Sequence, residues 1–269
     1  SIAVHTKDGL NVLFDGGSTT KKNVGRYTIY SYLKHCGVRK LDYVFVSHPD
    51  KDHINGIYEL IEMRDNTFEI GTVVLPEIRR TTAVKKQADD DMSKLEKTLK
   101  VAGVNVVYAV AGDCISSGEF SVKCMHPCDG YDYESANDYS AVYLVKYGDF
   151  SMLMTGDAEK KAEKCIVEDV NRMAGDADTS ARLVSVNILK VGHHGSKGAS
   201  SEEFLSYIKP ETALISCGAG NSYGHPHTET LKRLSGIGAK VYRTDESGEI
   251  AVRVREGAYK IEVFKALKG

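Results

Sequence analysis

The chain has 269 residues with a formal net charge of −2, and 42% of its residues are hydrophobic. This length suits a globular domain with a large core, and the near-neutral charge excludes an overall basic surface of the kind that binds nucleic-acid phosphates. No apolar stretch approaches the roughly 20 residues that a membrane-spanning helix needs. We therefore expect a soluble chain with no membrane span.

Hydrophobic periodicity and turn residues predict alternating strands and helices. The predicted strands, in chain order, are Ser1–His5, Asn11–Asp15, Leu41–Ser47, Gly71–Leu75, Val104–Val110, Phe120–Met125, Ser140–Tyr147, Phe150–Met154, Leu183–Val191, Thr212–Ser216 and Lys240–Thr244, followed by a C-terminal hairpin. The predicted helices are Thr28–His35, Ile54–Met63, residues 84–102, Glu159–Arg172, Ser201–Tyr207 and Thr228–Leu234. Since no linker interrupts this pattern, we expect residues 1–269 to form a single α/β domain.

Four segments rich in metal-binding side chains each follow the end of a predicted strand. They are Ser47–His53 (SHPDKDH), Thr155–Asp157 (TGD), His193–Ser196 (HHGS) and Cys217–His227 (CGAGNSYGHPH). In α/β sheets, ligands bind outside the carboxyl ends of the strands. This shared placement predicts one functional site built from all four segments.

The first segment has the residue types of a two-metal centre. His48 and Asp50 could hold one cation and Asp52 and His53 a second, because alternate residues of an extended turn point to different sides. Asp157, arriving from another strand end, could bridge both ions. Two adjacent metal ions activate a water molecule at neutral pH and clamp the attacking and leaving oxygens of a displacement. Imidazole with carboxylate suits Zn, Mn or Fe, and a high share of carboxylates shifts the balance toward Mn.

Together these segments resemble the signature motifs of the metallo-β-lactamase superfamily. The pattern H-x-D-x-D-H at His48–His53 resembles the superfamily's H-x-[HD]-x-D-H motif. FDGG with Asp15 resembles its early structural aspartate, TGD with Asp157 its bridging aspartate, and GHHGS its late histidine, so the resemblance spans residues 11–227. Asp50 in place of the usual second histidine, the run NDYSAVYLV, and the segments LKVGHHGS and ISCGAGNSYGHPH favour the competence branch, of the ComEC type.

The resemblance implies a fold, a cofactor and an activity. The fold is an αβ/βα four-layer sandwich of two mixed sheets, the cofactor is two divalent metal ions (Zn or Mn), and the activity is phosphodiester hydrolysis. Proteins of the competence branch are thought to degrade one DNA strand, so single-stranded DNA is the expected substrate. That branch normally opens with a D-V-G-Q-G-D strand, which this sequence does not contain. We therefore expect an N-terminal strand to be missing, and the localisation, cytoplasmic or extracellular, depends on that part.

Two other functions stay open at this point. Relatives with similar motifs hydrolyse phosphorylcholine from cell-wall polymers, so a small phosphodiesterase is one alternative. A metal-binding module without catalysis is the other, although the presence of Asp52, His53 and Asp157 argues against it. Asp50 and the absence of a clear third-motif histidine disfavour a β-lactamase.

The resemblance also implies roles for single side chains around the metal ions. Asp15 is expected to orient a ligand histidine, and Asp52 is expected to help orient the attacking water. Of His193 and His194, one is expected to bind metal and the other to contact the substrate, because successive strand residues face opposite ways. Either assignment is open.

The position of the missing third-motif histidine has three candidates. Asn137 or Asp138 lies near the expected place in the sequence, and His126 is an alternative. Asn137 is also an expected substrate contact.

The remaining candidate residues are expected to contact the substrate. His225 is a candidate proton donor to the leaving group, and Asn221 and Tyr223 are expected to line the same pocket. Ser196 and Lys197 could bind a phosphate at the start of the following predicted helix, where backbone N–H groups favour anions.

The six cysteines are scattered and include no C-x-x-C pair. Cys124 and Cys128, with His126 between them, have a spacing that could bind zinc, but no second pair of ligands lies at zinc-finger distance. Isolated buried thiols are therefore the prediction, and they suit a reducing compartment.

Overall fold

The computed structural model describes residues 1–65, 67–78, 83–128, 135–174 and 185–264, without the side chains of residues 83–89 and 173–174. The chain divides into two compact units, residues 1–109 (unit 1) and residues from 110 onward (unit 2). Each unit has one large sheet, and both sheets are mixed. The predicted α/β class with two mixed sheets is confirmed, and the single-domain organisation stays a prediction.

Unit 1 contains a five-stranded sheet in the order β1-β2-β3-β4-β5. Strand β1 is antiparallel to β2, and β2 to β5 all run parallel, so their carboxyl ends share one edge of the sheet. The strands are β1 (Ile2–His5), β2 (Asn11–Phe14), β3 (Lys40–Phe45), β4 (Glu69–Pro76) and β5 (Asn105–Ala109).

The helices of unit 1 bury apolar side chains. A π-helical turn (Gly25–Tyr30) leads into α1 (Ser31–His35), and the longer helices are α2 (Lys51–Glu62) and α3 (Ala83–Val101). Helix α2 has one buried apolar side, with Ile54, Ile57, Leu60 and Ile61, which fits an amphipathic helix packed on a core.

Unit 2 contains a seven-stranded sheet in the order β12-β11-β10-β9-β8-β7-β6. Strands β6 to β9 form an antiparallel meander, and β9 to β12 run parallel. The strands are β6 (Cys114–Ser117), β7 (Phe120–His126), β8 (Val142–Tyr147), β9 (Phe150–Met154), β10 (Ile188–Lys190), β11 (Thr212–Ile215) and β12 (Lys240–Arg243).

Helices of unit 2 bury their apolar sides in a second core that includes Ile166, Leu189, Phe204 and Ile215. A separate hairpin closes the described chain. The helices are α4 (Lys160–Ala174), α5 (Glu202–Ile208), α6 (Thr228–Gly236) and α7 (Thr244–Ser247), and the hairpin strands are β13 (Glu249–Arg255) and β14 (Ala258–Phe264).

Most predicted elements lie within a few residues of the observed ones, and three differ in an informative way. Helix α2 begins at Lys51 rather than Ile54, because its first turn is polar and carries no apolar periodicity. Strand β6 was not predicted, because its single half-buried apolar residue, Ile115, gives no alternating hydrophobic pattern. The strand predicted at Leu183–Val191 is reduced to β10, and residues 183–184 lie outside the described part of the chain.

Within the described residues, none of the helices combines the length and the apolar character that a bilayer crossing requires.

Cys128 and Cys165 form a disulfide that links the end of β7 to α4, with a Cα–Cα distance of 6.7 Å. The prediction of isolated thiols is therefore wrong for these two residues. It holds for Cys124, which is buried and free. The partners are 37 residues apart in sequence and come together through packing of α4 on the sheet, which spacing alone does not show.

Candidate metal-binding residues of the two units

Asp15 organises the candidate ligands of unit 1. Strands β2 and β3 are parallel neighbours, so Asp15 after β2 lies beside Ser47 after β3. The Asp15 carboxylate accepts hydrogen bonds from the Ser47 N–H (2.7 Å), the Ser47 hydroxyl (2.8 Å) and His53 Nδ1 (2.8 Å). Burial alone would raise the pKa of Asp15, but the His53 ring and the Ser47 bonds outweigh it and lower that pKa. Asp15 is therefore a carboxylate that holds His53 in one orientation.

The start of α2 brings the remaining candidate ligands of unit 1 together. The rings of His48 and His53 are both buried, with centroids 4.0 Å apart. Asp50 precedes the helix with its Oδ2 3.6 Å from His48 Nε2, and this imidazole lowers the pKa of Asp50. Asp52 lies half-buried in the first helical turn. The predicted extended turn is thus wrong from Lys51 onward, where the chain is already helical.

A close approach of backbone to backbone places the first turn of α2. A Cβ atom on Gly17 would lie 2.4 Å from the carbonyl carbon of Asp52, well inside any real contact distance. Only glycine therefore lets the FDGG segment lie against the residues that carry Asp52 and His53.

Asp157 is the centre of the candidate ligand group in unit 2. It follows β9, while His193 and His194 follow the neighbouring parallel strand β10. The Nε2 atom of His193 lies 3.7 Å from Asp157 Oδ2, and that of His194 lies 3.8 Å from Asp157 Oδ1. Each oxygen of one buried carboxylate thus faces a different imidazole.

The other ring nitrogens fix the tautomers of both histidines. His193 Nδ1 lies 2.8 Å from Glu159 Oε1, and His194 Nδ1 lies 2.7 Å from the Ser216 carbonyl oxygen. Both partners only accept hydrogen bonds, so Nδ1 carries the proton in each ring. In the neutral imidazole, Nε2 then has the lone pair that a metal ligand needs.

The backbone at His193–His194 explains why both rings point to Asp157. Both residues lie in the left-handed region, with φ of 45° and 54°, inside the tight turn Gly192–Gly195. Such backbone is costly for residues other than glycine and concentrates at functional sites. The expectation that the two rings face opposite ways is wrong, because the strand has already ended at Lys190.

Of the three candidates for the third-motif position, Asn137 contacts the ligand group. Its Nδ2 lies 3.3 Å from His193 Nδ1. Asp138 instead accepts hydrogen bonds from the Glu159 and Ala162 N–H groups at the start of α4. His126 binds the Ser140 carbonyl through Nδ1, and burial lowers the pKa of His126 to about 4.

His126 also lies with Cys128 and Cys165 as a group whose candidate ligand atoms are all within 4.8 Å of one another. Because the two sulfur atoms are bonded to each other, they are not thiolates available to a metal ion. The zinc-type spacing of Cys124 and Cys128 therefore does not form a site. Cys124 Sγ contacts the His126 carbonyl instead.

His225 lies next to both histidines of the ligand group. Its ring centroid is 5.5 Å from that of His193 and 6.3 Å from that of His194. Burial first, and then the neighbouring His193 and His227 imidazoles, lower the pKa of His225 to about 4. The ring is therefore neutral at pH 7 and offers an N–H group, whereas an imidazolium donor would require a change in its surroundings.

A carboxylate of the protein itself lies at the start of α5, and the phosphate contact expected of Ser196 and Lys197 stays a prediction. The buried carboxylate of Glu163 already accepts hydrogen bonds from the Ser200 and Ser201 N–H groups there. The contact of Glu163 was not predicted, because Glu163 lies on another helix, 37 residues before Ser200. Lys197 stays exposed near the turn, and its N–H donates to His227 Nδ1 (3.1 Å).

Comparison with known proteins agrees with these features. Residues 1–99 match the model of the metallo-beta-lactamase superfamily. The chain is 28% identical to ComE operon protein 3 of Bacillus subtilis over 90% of this chain, and 27% identical to competence protein ComA of Neisseria gonorrhoeae over 100% of it. It spans 28% and 33% of the length of these two proteins.

A solved structure gives the same fold. The metallo-beta-lactamase fold protein YhfI from Bacillus subtilis superposes with a TM-score of 0.53 at 13% identity, covering 88% of this chain and 85% of that chain. At this identity the likeness concerns the fold alone. The motifs, the match of residues 1–99 and the fold agree, and we conclude that the chain has a metallo-β-lactamase fold and is similar to competence proteins.

Proposed function

We propose that this chain is a metal-dependent phosphodiesterase that cleaves single-stranded DNA. The observation that carries the proposal is the arrangement around Asp157. One buried carboxylate faces the Nε2 atoms of His193 and His194, and a further carboxylate and a carbonyl set the tautomer of both rings. Structural histidines seldom need both nitrogens oriented in this way, whereas metal ligands do.

The donor atoms fit divalent metal ions. The separations of 3.7 and 3.8 Å between imidazole and carboxylate are too long for hydrogen bonds. They are close to the about 3.3–3.6 Å that separates two ligand atoms of one tetrahedral ion with bonds of about 2.0–2.2 Å. Neutral imidazoles with carboxylates suit Zn or Mn. In unit 1, His53 presents the same chemistry, since its Nδ1 proton is donated to Asp15.

We assign the ligands as His48, Asp50, Asp52 and His53 in unit 1 and Asp157, His193 and His194 in unit 2. Two divalent ions held by these residues would supply a Lewis acid and a water of lowered pKa. Asn137 lies next to His193 and would contact a phosphate group. The neutral His225 ring, next to His193, would donate a hydrogen bond to the leaving-group oxygen.

DNA is the proposed substrate because the relatives of this chain are competence proteins, which fit a role in DNA uptake. The chain spans about a third or less of these relatives, so their full activity is not carried over. Asp50 further distinguishes the chain from the β-lactamases, whose motif has a second histidine at that position. A small phosphodiesterase and a non-catalytic metal-binding module are the competing outcomes.

The proposal is tested with metal-loaded protein and two substrates, a single-stranded DNA oligonucleotide and bis-p-nitrophenyl phosphate. The matched variants are Asp157→Asn, which keeps the size of the side chain, and Asp149→Asn, an exposed aspartate in the β8–β9 turn. We expect DNA cleavage by the wild type and Asp149→Asn, and a loss of at least about 100-fold in Asp157→Asn.

The other outcomes are equally distinct. Cleavage of the small diester alone would identify a small phosphodiesterase. Inactivity on both substrates with metal ions bound would show a binding module and refute the proposal.

A further inference from the structure

Tyr223 is a large aromatic residue exposed beside the candidate ligands. It lies between β11 and α6, and 65% of its surface is accessible. Its ring stacks on the ring of His225, with centroids 5.7 Å apart and an interplanar angle of 22°. One face of the tyrosine is thus supported by protein while the ring remains largely open to solvent.

The loop that carries Tyr223 is held by its own hydrogen bonds. Asn221 donates from Nδ2 to the His225 carbonyl (2.7 Å) and accepts the His225 N–H at Oδ1 (3.0 Å). Gly220 and Gly224 adopt positive φ values of 66° and 72°, which let the chain turn on both sides of the tyrosine. Tyr223 is therefore presented at a fixed position.

The supporting ring connects Tyr223 to the ligand group. His225 lies 5.5 Å from His193 and 6.3 Å from His194, measured between ring centroids. Tyr223 is thus one ring further out from the proposed cleavage point than His225. A nucleotide whose phosphate lies at the ligand histidines would have a neighbouring base within reach of this ring.

We propose that Tyr223 is a base-stacking subsite, on which a nucleobase of single-stranded DNA next to the scissile phosphate stacks. This inference rests on the proposed function and adds how the substrate is recognised. Stacking on an aromatic ring accepts any base, because every base has a π-face, and contributes about 1–3 kcal/mol per base. A base within a duplex is already stacked on its neighbours, so the subsite favours single strands.

The Asn221 amide, two residues before Tyr223, adds no base-specific contact. The Asn221 amide uses its donors on the Gly218 and His225 carbonyls and its oxygen on the His225 N–H. It is therefore committed to the loop and does not read the edge of a base. The subsite accordingly selects single strands without selecting sequence.

The test measures the binding and cleavage of two oligonucleotides, one normal and one with abasic sugars around a single phosphodiester. The variants are Tyr223→Ala and Tyr223→Phe, and the matched control is Tyr27→Ala, an equally exposed tyrosine (69%) in unit 1. We expect Tyr223→Ala to bind normal single-stranded DNA about 10-fold more weakly, an effect in the range of one stacked base. Tyr223→Phe and Tyr27→Ala should stay within about twofold of the wild type, and the abasic strand should not discriminate between tyrosine and alanine.

An equal loss on normal and abasic strands would overturn the inference, because Tyr223 would then act by positioning His225. No loss on either strand would overturn it as well. Binding is measured apart from cleavage, so a wild type that binds with this preference but does not cleave would refute the proposed function alone.

Discussion

The two groups of candidate ligands are supported in different ways. In unit 1, four candidate ligands lie within six consecutive positions, and one carboxylate, Asp15, orients His53 while Gly17 lets the FDGG segment lie close to α2. In unit 2, the candidate ligands come from separate strand ends and are oriented by Glu159 and by the left-handed turn at His193–His194. The first group depends on close local packing, and the second depends on contacts between elements far apart in sequence.

The largest expected effect is on stability and comes from removing the disulfide of unit 2. The Cys128–Cys165 disulfide closes a loop of 37 residues, and its removal should lower the free energy of unfolding by about 4 kcal/mol. Denaturant unfolding of Cys165→Ala and of Cys114→Ala, an exposed free cysteine, measures the difference. If both variants unfold like the wild type, the disulfide does not support α4.

In unit 1 the close approach of Gly17 to the backbone of Asp52 positions the candidate ligands, and Gly17→Ala should disrupt this approach. The new Cβ would force the FDGG segment away from Asp52, and a ligand displaced by about 1 Å should reduce cleavage by about 100-fold. The control is Gly236→Ala at the end of α6, where a Cβ meets nothing within 4 Å. Steady-state rates on DNA compare the two, and equal rates would show that the close approach is not required.

The orienting carboxylates allow a direct comparison of the two groups. Asp15→Asn should weaken metal binding by about 10–100-fold, since loss of such a partner disturbs the ligand histidine. Glu159→Gln should have a smaller effect, because the side chains of His193 and Glu159 (25% and 26% exposed) are less buried than those of His53 and Asp15 (7% and 18%). Isothermal titration calorimetry of the two metal-free variants with Mn²⁺ or Zn²⁺ measures their metal affinities. A larger loss of affinity for Glu159→Gln than for Asp15→Asn would contradict the prediction.

Buried Glu163 should make the stability of unit 2 depend on pH. Burial raises the pKa of Glu163 to about 6 from its ordinary 4.5, so the folded state favours the protonated form. Its contribution to the free energy of unfolding should therefore fall by about 2 kcal/mol as the pH rises from 4.5 through 6. Glu163→Gln should remove this slope in urea unfolding between these pH values. A slope unchanged by the substitution would show that Glu163 ionises normally.

Residues that are close in sequence were predictable, and residues that meet only in space were not. The ligand segments were found because each follows a strand and concentrates histidine and aspartate over a few positions. Glu159 and the Ser216 carbonyl were missed, although they set the tautomers of His193 and His194, since their contacts cross 34 and 22 residues.

Local backbone geometry was the other source of error. The rings of His193 and His194 were expected to diverge as in a strand. The left-handed turn directs both to Asp157, and no residue pattern at that position signals such backbone.

The central claim is that the imidazoles and carboxylates of this chain hold metal ions that are required for DNA cleavage. The most direct measurement strips the protein of metal and then follows the cleavage of single-stranded DNA as Mn²⁺ or Zn²⁺ is added. The account predicts no cleavage without metal, recovery with added metal in the wild type, and no recovery in Asp157→Asn. Cleavage that survives metal removal, or equal recovery in Asp157→Asn, would contradict it.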